Sequence, residues 1–234
     1  MVSLKMNKNS LKNIATEVID LEINALKILK KSINKNFDRA VNLIVDCQSK
    51  IILCGVGKSG LIAAKIASTF SSVGSPAFSL SANDCLHGDL GSITKKDVLI
   101  LISNSGKSEE IIPIIKFANR NKIKLIGIVS KKSSFLYKAS DIKILLPEVK
   151  ESGLGVVPTS STSIQLAIGD ALAVAALKKK QFSKYDFSRF HPGGNLGKLL
   201  KTVGDIMVSG KKIPFINENK NMKEALKTIS KKRL

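Results

Sequence analysis

Between residues 51 and 147 the chain repeats one pattern: a short apolar run, a loop of small residues, and usually a helical stretch. IILC (51–54) runs into GVGKSG and a helix through Phe70, and PAFSL (76–80) leads into SANDCLHGDLG. DVLILI (97–102) gives way to SNSGKS and a helix over 109–120; KLIGIV (124–129) leads through SKKSSFLYKAS to KILLP (143–147). Runs without polar alternation suit strands covered on both faces, and helices between strands make the connections parallel crossovers. The pattern predicts an α/β fold, a doubly wound parallel sheet, with a last helix following PTSSTS to about Lys179.

The flanks differ in texture. Residues 1–48 carry apolar positions at helical spacing (Ile14, Val18, Leu21, Leu26, Leu29, Ile33, Phe37, Val41, Ile44) and predict a helical lead-in of two or three helices. Residues 49–200 hold the sheet domain and end in the turn-rich DFSRFHPGGNLGKLL. Residues 201–234 read as the opening of a further small domain, with a strand-like turn segment and one amphipathic helix (Met222, Ala225, Leu226, Ile229).

Composition narrows the partners. Lys and Arg number 38 against 18 Asp and Glu, a formal charge of +20. Arginine is confined to Arg39, Arg120, Arg189 and Arg233 and aromatics are 5%, so the arginine forks and stacking platforms of a nucleic-acid reader are missing. An anionic small molecule fits the same charge, and no nucleic acid is expected. No apolar run of about 18 residues predicts a membrane span, and the charged start does not resemble a signal peptide, so the expected compartment is the cytoplasm. Cys47, Cys54 and Cys85 show no CxxC spacing and are expected to be reduced.

Gly55-Val56-Gly57-Lys58-Ser59-Gly60 matches GxGxxG between a strand and a helix. A dinucleotide site would want an acidic residue at the end of the second strand, which closes on Leu80-Ser81, and a Walker A loop would want glycine at Ile52. What remains is a glycine-rich turn presenting Lys58 at a strand's carboxyl end, or a tight turn with a solvated lysine. Ser103-Asn104-Ser105-Gly106-Lys107-Ser108 and Thr159-Ser160-Ser161-Thr162-Ser163 place small hydroxyls at the heads of two helices. One such cluster is usually an N-cap; two at one sheet edge point to a phosphate monoester.

His87 (HGDLG) and His191 (HPGG) lie in loops, where either acid/base work or loop capping suits them. Neither has ligand spacing, and no metal site or cofactor is expected. Glu109 and Glu110 open a helix, where complementing its dipole is the plain explanation. Glu151 stands in a loop with no helix to serve, and Asp170 reads as structural.

In order, GVGKSG, HGDLG, SNSGKSEE, PTSSTS leading to GDALA, and DFSRFHPGGNLGKLL resemble the sugar-isomerase (SIS) domain of D-arabinose-5-phosphate isomerases of the KdsD/KpsF type, over about residues 10–200. The tail VGDIM and its helix resemble the start of the paired CBS domains that follow. The resemblance implies a homotetramer that interconverts D-ribulose 5-phosphate and D-arabinose 5-phosphate without a required metal, for 3-deoxy-D-manno-octulosonate synthesis. It implies catalytic Lys58, Glu110, Glu151 and His191. Substrate contacts would come from Gly57, Ser59, Gly74, Ser75, His87, Ser103, Asn104, Ser105, Ser108, Thr159, Ser160, Ser161 and Thr162. Ser81 stands where relatives commonly carry a His, and ESGLGVVP is one residue shorter than the corresponding family segment. The competing readings are an isomerase for another sugar phosphate and a non-catalytic sugar-phosphate sensor.

Overall fold

The computed structural model describes residues 11–191 and 203–232. They divide after Ser183 into two units. The helical lead-in belongs to the first unit, and the division falls ahead of the boundary expected near residue 200. The HPGGNLG segment beyond His191 lies outside the described residues.

In the first unit, helices α1 (Leu11–Ser32) and α2 (Lys35–Val45) precede β1 (Ile51–Gly55), α3 (Lys58–Ser72), β2 (Ala77–Ser81) and the short α4 (Ala82–Cys85). Then come β3 (Val98–Ser103), α5 (Ile111–Arg120), β4 (Lys124–Val129), α6 (Phe135–Ala139) and β5 (Ile142–Leu145). A one-turn segment, α7 (Gly153–Val156), leads into the long α8 (Ser160–Lys179). The five strands are parallel in the order β2-β1-β3-β4-β5.

Strand alternation explains the two-faced core. Ile51 and Leu53 of β1, with Val98, Ile100 and Ile102 of β3, face α1, α2, α3 and α8. Ile52, Cys54, Leu99 and Leu101 face α4, α5 and α6. Each fully buried Ile or Leu contributes about 1.5–3 kcal/mol of transfer free energy, and truncating Ile100 to Ala would cost about 2–5 kcal/mol. Helix α8 is long and apolar enough to cross a membrane by length and composition, yet half of it is buried in this core. That makes it a core helix.

Order 2-1-3-4-5 reverses direction between β1 and β3. Ligands of open α/β sheets bind outside the carboxyl ends of the strands at such a point. The glycines of the first loop serve this geometry. A Cβ on Gly55 would stand 2.8 Å from the Ser59 carbonyl, and one on Gly60 would stand 2.8 Å from the Gly55 carbonyl oxygen, so α3 can start close to the strand only without side chains there. Gly57 caps α3 at φ +57°, a left-handed conformation.

The second unit contains α9 (Lys184–Phe190), a short helix Val203–Ile206 and the amphipathic helix Met222–Lys232. The strand-like segment expected here forms no strand among the described residues: Phe215 is exposed and residues 213–216 find no ladder partner. Its backbone turns on itself instead, with the Ile213 N–H on the Gly210 carbonyl and the Phe215 N–H on the Ile213 carbonyl.

Candidate functional site

The parallel sheet carries the loop residues after β1, β2, β3 and β5 to a single edge. Lys58 is exposed in the first turn of α3, and α3 has no side-chain cap. A cation at a helix's positive end is disfavoured by roughly 0.3–1 kcal/mol, so helix stability does not explain Lys58. Exposed lysines follow four of the five strands at this edge: Lys58, Lys107, Lys131 with Lys132, and Lys150. Their summed potential attracts anions. Lys131 is engaged with Glu148 at 2.5 Å, which ties the β4 and β5 loops together.

The loop after β3 is wired by its own side chains. Ser103 Oγ accepts the Gly106 N–H at 3.0 Å, and Ser105 Oγ accepts the Lys107 N–H at 3.3 Å. Ser130 at the end of β4 donates its hydroxyl to Asn104 Oδ1 at 2.6 Å. Asn104 and Ser105 are exposed, Ser108 is half-buried, and α5 starts at Glu110 with no side-chain cap. The result is a helix start without a side-chain cap, where the Ile111 and Ile112 N–H groups turn to the Ser108 and Glu109 carbonyls, beneath outward-facing polar side chains. An oxyanion fits there.

The start of α8 is built differently. Thr159 occupies the N-cap position but makes no side-chain cap bond. The cap comes from Glu151, whose Oε2 accepts the Thr159 N–H at 2.9 Å, the Thr159 hydroxyl at 3.2 Å and the Ser161 N–H at 3.3 Å. Thr159 Oγ1 in turn accepts the Ser152 N–H at 3.1 Å. The expectation that Glu151 has no helix to serve is therefore corrected: it caps α8 from eight residues upstream. Partial burial pushes its pKa up, but the hydrogen bonds from Ser161 and Thr159 outweigh this and hold the carboxyl below its ordinary value. Ser160 and Ser161 are buried, whereas Thr159 and Thr162 are partly open to solvent. Between Glu151 and Thr159 the chain makes a small flap, closed by a bridge from Ser152 to Val157. Its tip, Leu154, is fully exposed at φ +62°. A left-handed non-glycine residue costs roughly 1–2 kcal/mol, which the flap's closure must offset.

The remaining expected residues separate. His87 is exposed in the turn after α4, and Ser59 is half-buried in α3. A cleft of about 280 Å³ opens between the ends of β1 and β2, with Gly57 and Ser81 on its wall. It adjoins the glycine turn on the side away from β3, so the turn lies between cleft and hydroxyl loop. Gly74 and Ser75 are not brought to this edge. They precede β2 at the amino end of the sheet, where Pro76 pairs with Ile51, and Ser75 accepts from Lys180 at 2.8 Å. Gly74 is packed under the Phe182 ring. Within one subunit they are structural. Asp170 pairs with Lys65 at 2.6 Å.

His191 closes α9 in the second unit. Its ring stacks on Phe187 at 3.9 Å, and Nδ1 lies 2.8 Å from the Phe187 carbonyl oxygen. A carbonyl can only accept, so Nδ1 carries a proton and Nε2 remains for chemistry. Among the described residues no three His, Cys, Asp or Glu side chains converge as a metal site.

Residues 44–175 match the model of the SIS domain. The arabinose 5-phosphate isomerase KdsD of Yersinia pestis is 44% identical over 220 residues, covering 93% of this chain and 67% of its own length. The KdsD of Francisella tularensis is also 44% identical, over 94% of this chain and 69% of its own. The chain belongs to the KdsD family of SIS-domain isomerases. A solved structure of the c3406 protein from E. coli CFT073 superimposes with a TM-score of 0.76 at 35% identity, over 80% of this family member and all of that chain.

Sequence reasoning missed three contributors to the edge. Ser130 fastens Asn104 from the neighbouring strand, and Glu22 of α1 accepts the Ser163 hydroxyl at 2.9 Å. Gln165 lies buried one turn below Ser161. The Glu22 contact spans 141 residues and leaves no local signal. The other two occupy positions that read as ordinary strand end and helix interior.

Proposed function

We propose that the chain is an aldose–ketose isomerase that interconverts D-ribulose 5-phosphate and D-arabinose 5-phosphate. The observation that carries the reading is the pairing, on one sheet edge, of an uncapped hydroxyl-lined helix start with a carboxylate held ionised at a second helix. The first suits a phosphate dianion. At the second the helix amides are already taken by Glu151, so the phosphate goes to Ser103–Ser108 and the reacting carbons to Glu151.

Moving a carbonyl between C1 and C2 needs a base that takes a proton from one carbon and returns it to the other through an enediolate. It also needs a donor beside the developing oxyanion, and an acid to open any furanose ring. In this scheme Glu151 shuttles the proton, Lys58 steadies the oxyanion, and His191 opens the ring by taking the anomeric hydroxyl proton on Nε2 and passing it to the ring oxygen. Glu110, at the N-cap of α5 beside the phosphate loop, is the alternative carboxylate for the proton transfer. Thr159 and Thr162 meet the sugar hydroxyls, with His87 at the margin. Anchoring the distant phosphate aligns the carbons, which is how remote binding energy lowers a barrier.

No step calls for a metal or cofactor. The apolar positions left open on α1, among them Ile14, Ile19, Ile23 and Leu26, suit burial against further copies, and a homotetramer is the assembly proposed. Residues 201–234 are proposed as the first part of a CBS domain, the compartment as the cytoplasm and the product's destination as 3-deoxy-D-manno-octulosonate. The test is NMR of the protein with ribulose 5-phosphate, fructose 6-phosphate and sedoheptulose 7-phosphate in parallel. Conversion confined to the pentulose supports the reading; turnover of another substrate alone, or of none, overturns it.

A further inference from the structure

The side chains around Glu151 leave a polar group of atoms without hydrogen-bond partners in the protein. They are Ser152 Oγ, Ser160 Oγ, and both the Oε1 and Nε2 atoms of Gln165. Their residues are 7%, 0% and 1% exposed. Buried polar atoms are normally paired, and orphans in one neighbourhood call for an explanation. Chain geometry brings Ser152 and Ser160 to the head of α8, with Gln165 about one turn further along. Ser152 follows Glu151 and is fastened to Thr159, and Ser160 adjoins both cap donors. Gln165 lies four residues after Ser161 on the same face of α8. An amide offers two donors and two acceptor sites, and two hydroxyls add a donor and an acceptor capacity each. That inventory suits a small polar guest, and one or two waters with two to four partners each would satisfy it.

We propose that Gln165, with Ser152 and Ser160, holds buried water beneath the Glu151 carboxylate and so acts as a positioning group for it. The inference rests on the isomerase reading for its catalytic consequence but not for its structural one. The water links the helix interior to the cap, fixing the distance of the carboxylate from α8. Charged groups of the elements packed here are engaged with partners or exposed to solvent. Glu22 of α1 holds Ser163, Glu148 holds Lys131, Lys150 is exposed, and Lys65 of α3 holds Asp170 further along the helix.

The test compares Gln165→Met, which keeps length and helix preference while deleting the amide, with Ser152→Ala as a milder second variant. In the full chain, Glu151 is followed by 13C NMR of labelled glutamate, assigned with Glu151→Gln. Removing water that donates to the carboxylate raises the Glu151 pKa by about half a unit or more in Gln165→Met, with a smaller rise in Ser152→Ala. Turnover falls about fivefold in Gln165→Met, with KM unchanged and the acid limb of the kcat profile displaced in the same direction. If both variants leave the Glu151 titration where it was, the proposal is wrong, whatever the activity. A parent protein without isomerase activity defeats the functional reading alone, since the titration still decides the buried water. If Gln165→Met does not fold, the Ser152→Ala titration decides.

Discussion

The two hydroxyl loops have nearly the same composition and stand at the heads of two helices on one sheet edge, yet they are finished in opposite ways. Around Ser103–Ser108 the hydroxyls bind their own loop, Asn104 and Ser105 face outward, and α5 has no side-chain cap. Around Thr159–Ser163 a carboxylate already occupies the helix end and two of the serines are buried. Small hydroxyl residues at a helix start therefore do not specify an anion site. What decides is whether the chain supplies its own anion. At α8 the Glu151 carboxylate already takes the Thr159 and Ser161 amides, whereas at α5 Glu109 and Glu110 stand at the helix start without a side-chain cap bond, beside hydroxyls and the lysines of the edge.

The largest expected effect separates the loops by kind of damage. Glu151→Gln deletes the charge while keeping the shape, and loss of general-base catalysis is worth about 10² to 10⁴ in turnover. The same variant weakens the α8 cap at a cost of about 0.5–2 kcal/mol, read as a lower thermal midpoint. A Glu151 variant with parent turnover would leave the carboxylate as a cap only.

Next, Lys58→Gln is expected to reduce turnover by more than tenfold while leaving stability unchanged or slightly raised, because the cation is unfavourable where it stands. Loss of stability together with activity would point to a structural lysine. Ser105→Ala is expected to raise KM by roughly tenfold with kcat little changed, consistent with about 1.5–3 kcal/mol for a hydrogen bond to a charged group. Ser160→Ala, by contrast, should leave KM within about twofold, because a buried hydroxyl cannot reach a ligand in the open edge. Equal KM effects at the two serines would erase the distinction between the loops.

The smallest effect lies in pH. The Glu151 carboxyl is held below its ordinary value in the folded chain, so its stabilisation is fully present above the unfolded pKa and is lost as pH falls through the folded one. Denaturation midpoints of parent and Glu151→Gln should therefore differ near neutrality and converge in acid. A difference independent of pH would assign the stability to packing.

The same contrast measures how much was legible in the sequence. The strands and α8 could be read because runs such as VLILIS are buried on both faces, and a central strand has no polar alternation to blur its ends. The convergence of loops at one edge then followed from parallel pairing. Glu151's capping role was not legible, because it depends on a flap that folds the chain back over eight residues through a left-handed leucine. Gly74 and Ser75 differ in another way. They lie within reach of the motif in sequence, but β2 itself stands between them and the carboxyl edge. The tail read as strand-like from its apolar residues, and apolar residues make a strand only where another strand offers a ladder.

The central claim is that Glu151, and not Glu110, carries the proton between C1 and C2. The direct measurement is exchange of the substrate's C1 and C2 protons with deuterated solvent, followed by NMR in the parent, Glu151→Gln and Glu110→Gln proteins with ribulose 5-phosphate. The account predicts that the parent and Glu110→Gln proteins exchange, while Glu151→Gln binds the substrate and leaves its protons in place. Exchange at the parent rate in Glu151→Gln, with none in Glu110→Gln, would contradict it and assign the base to the head of α5.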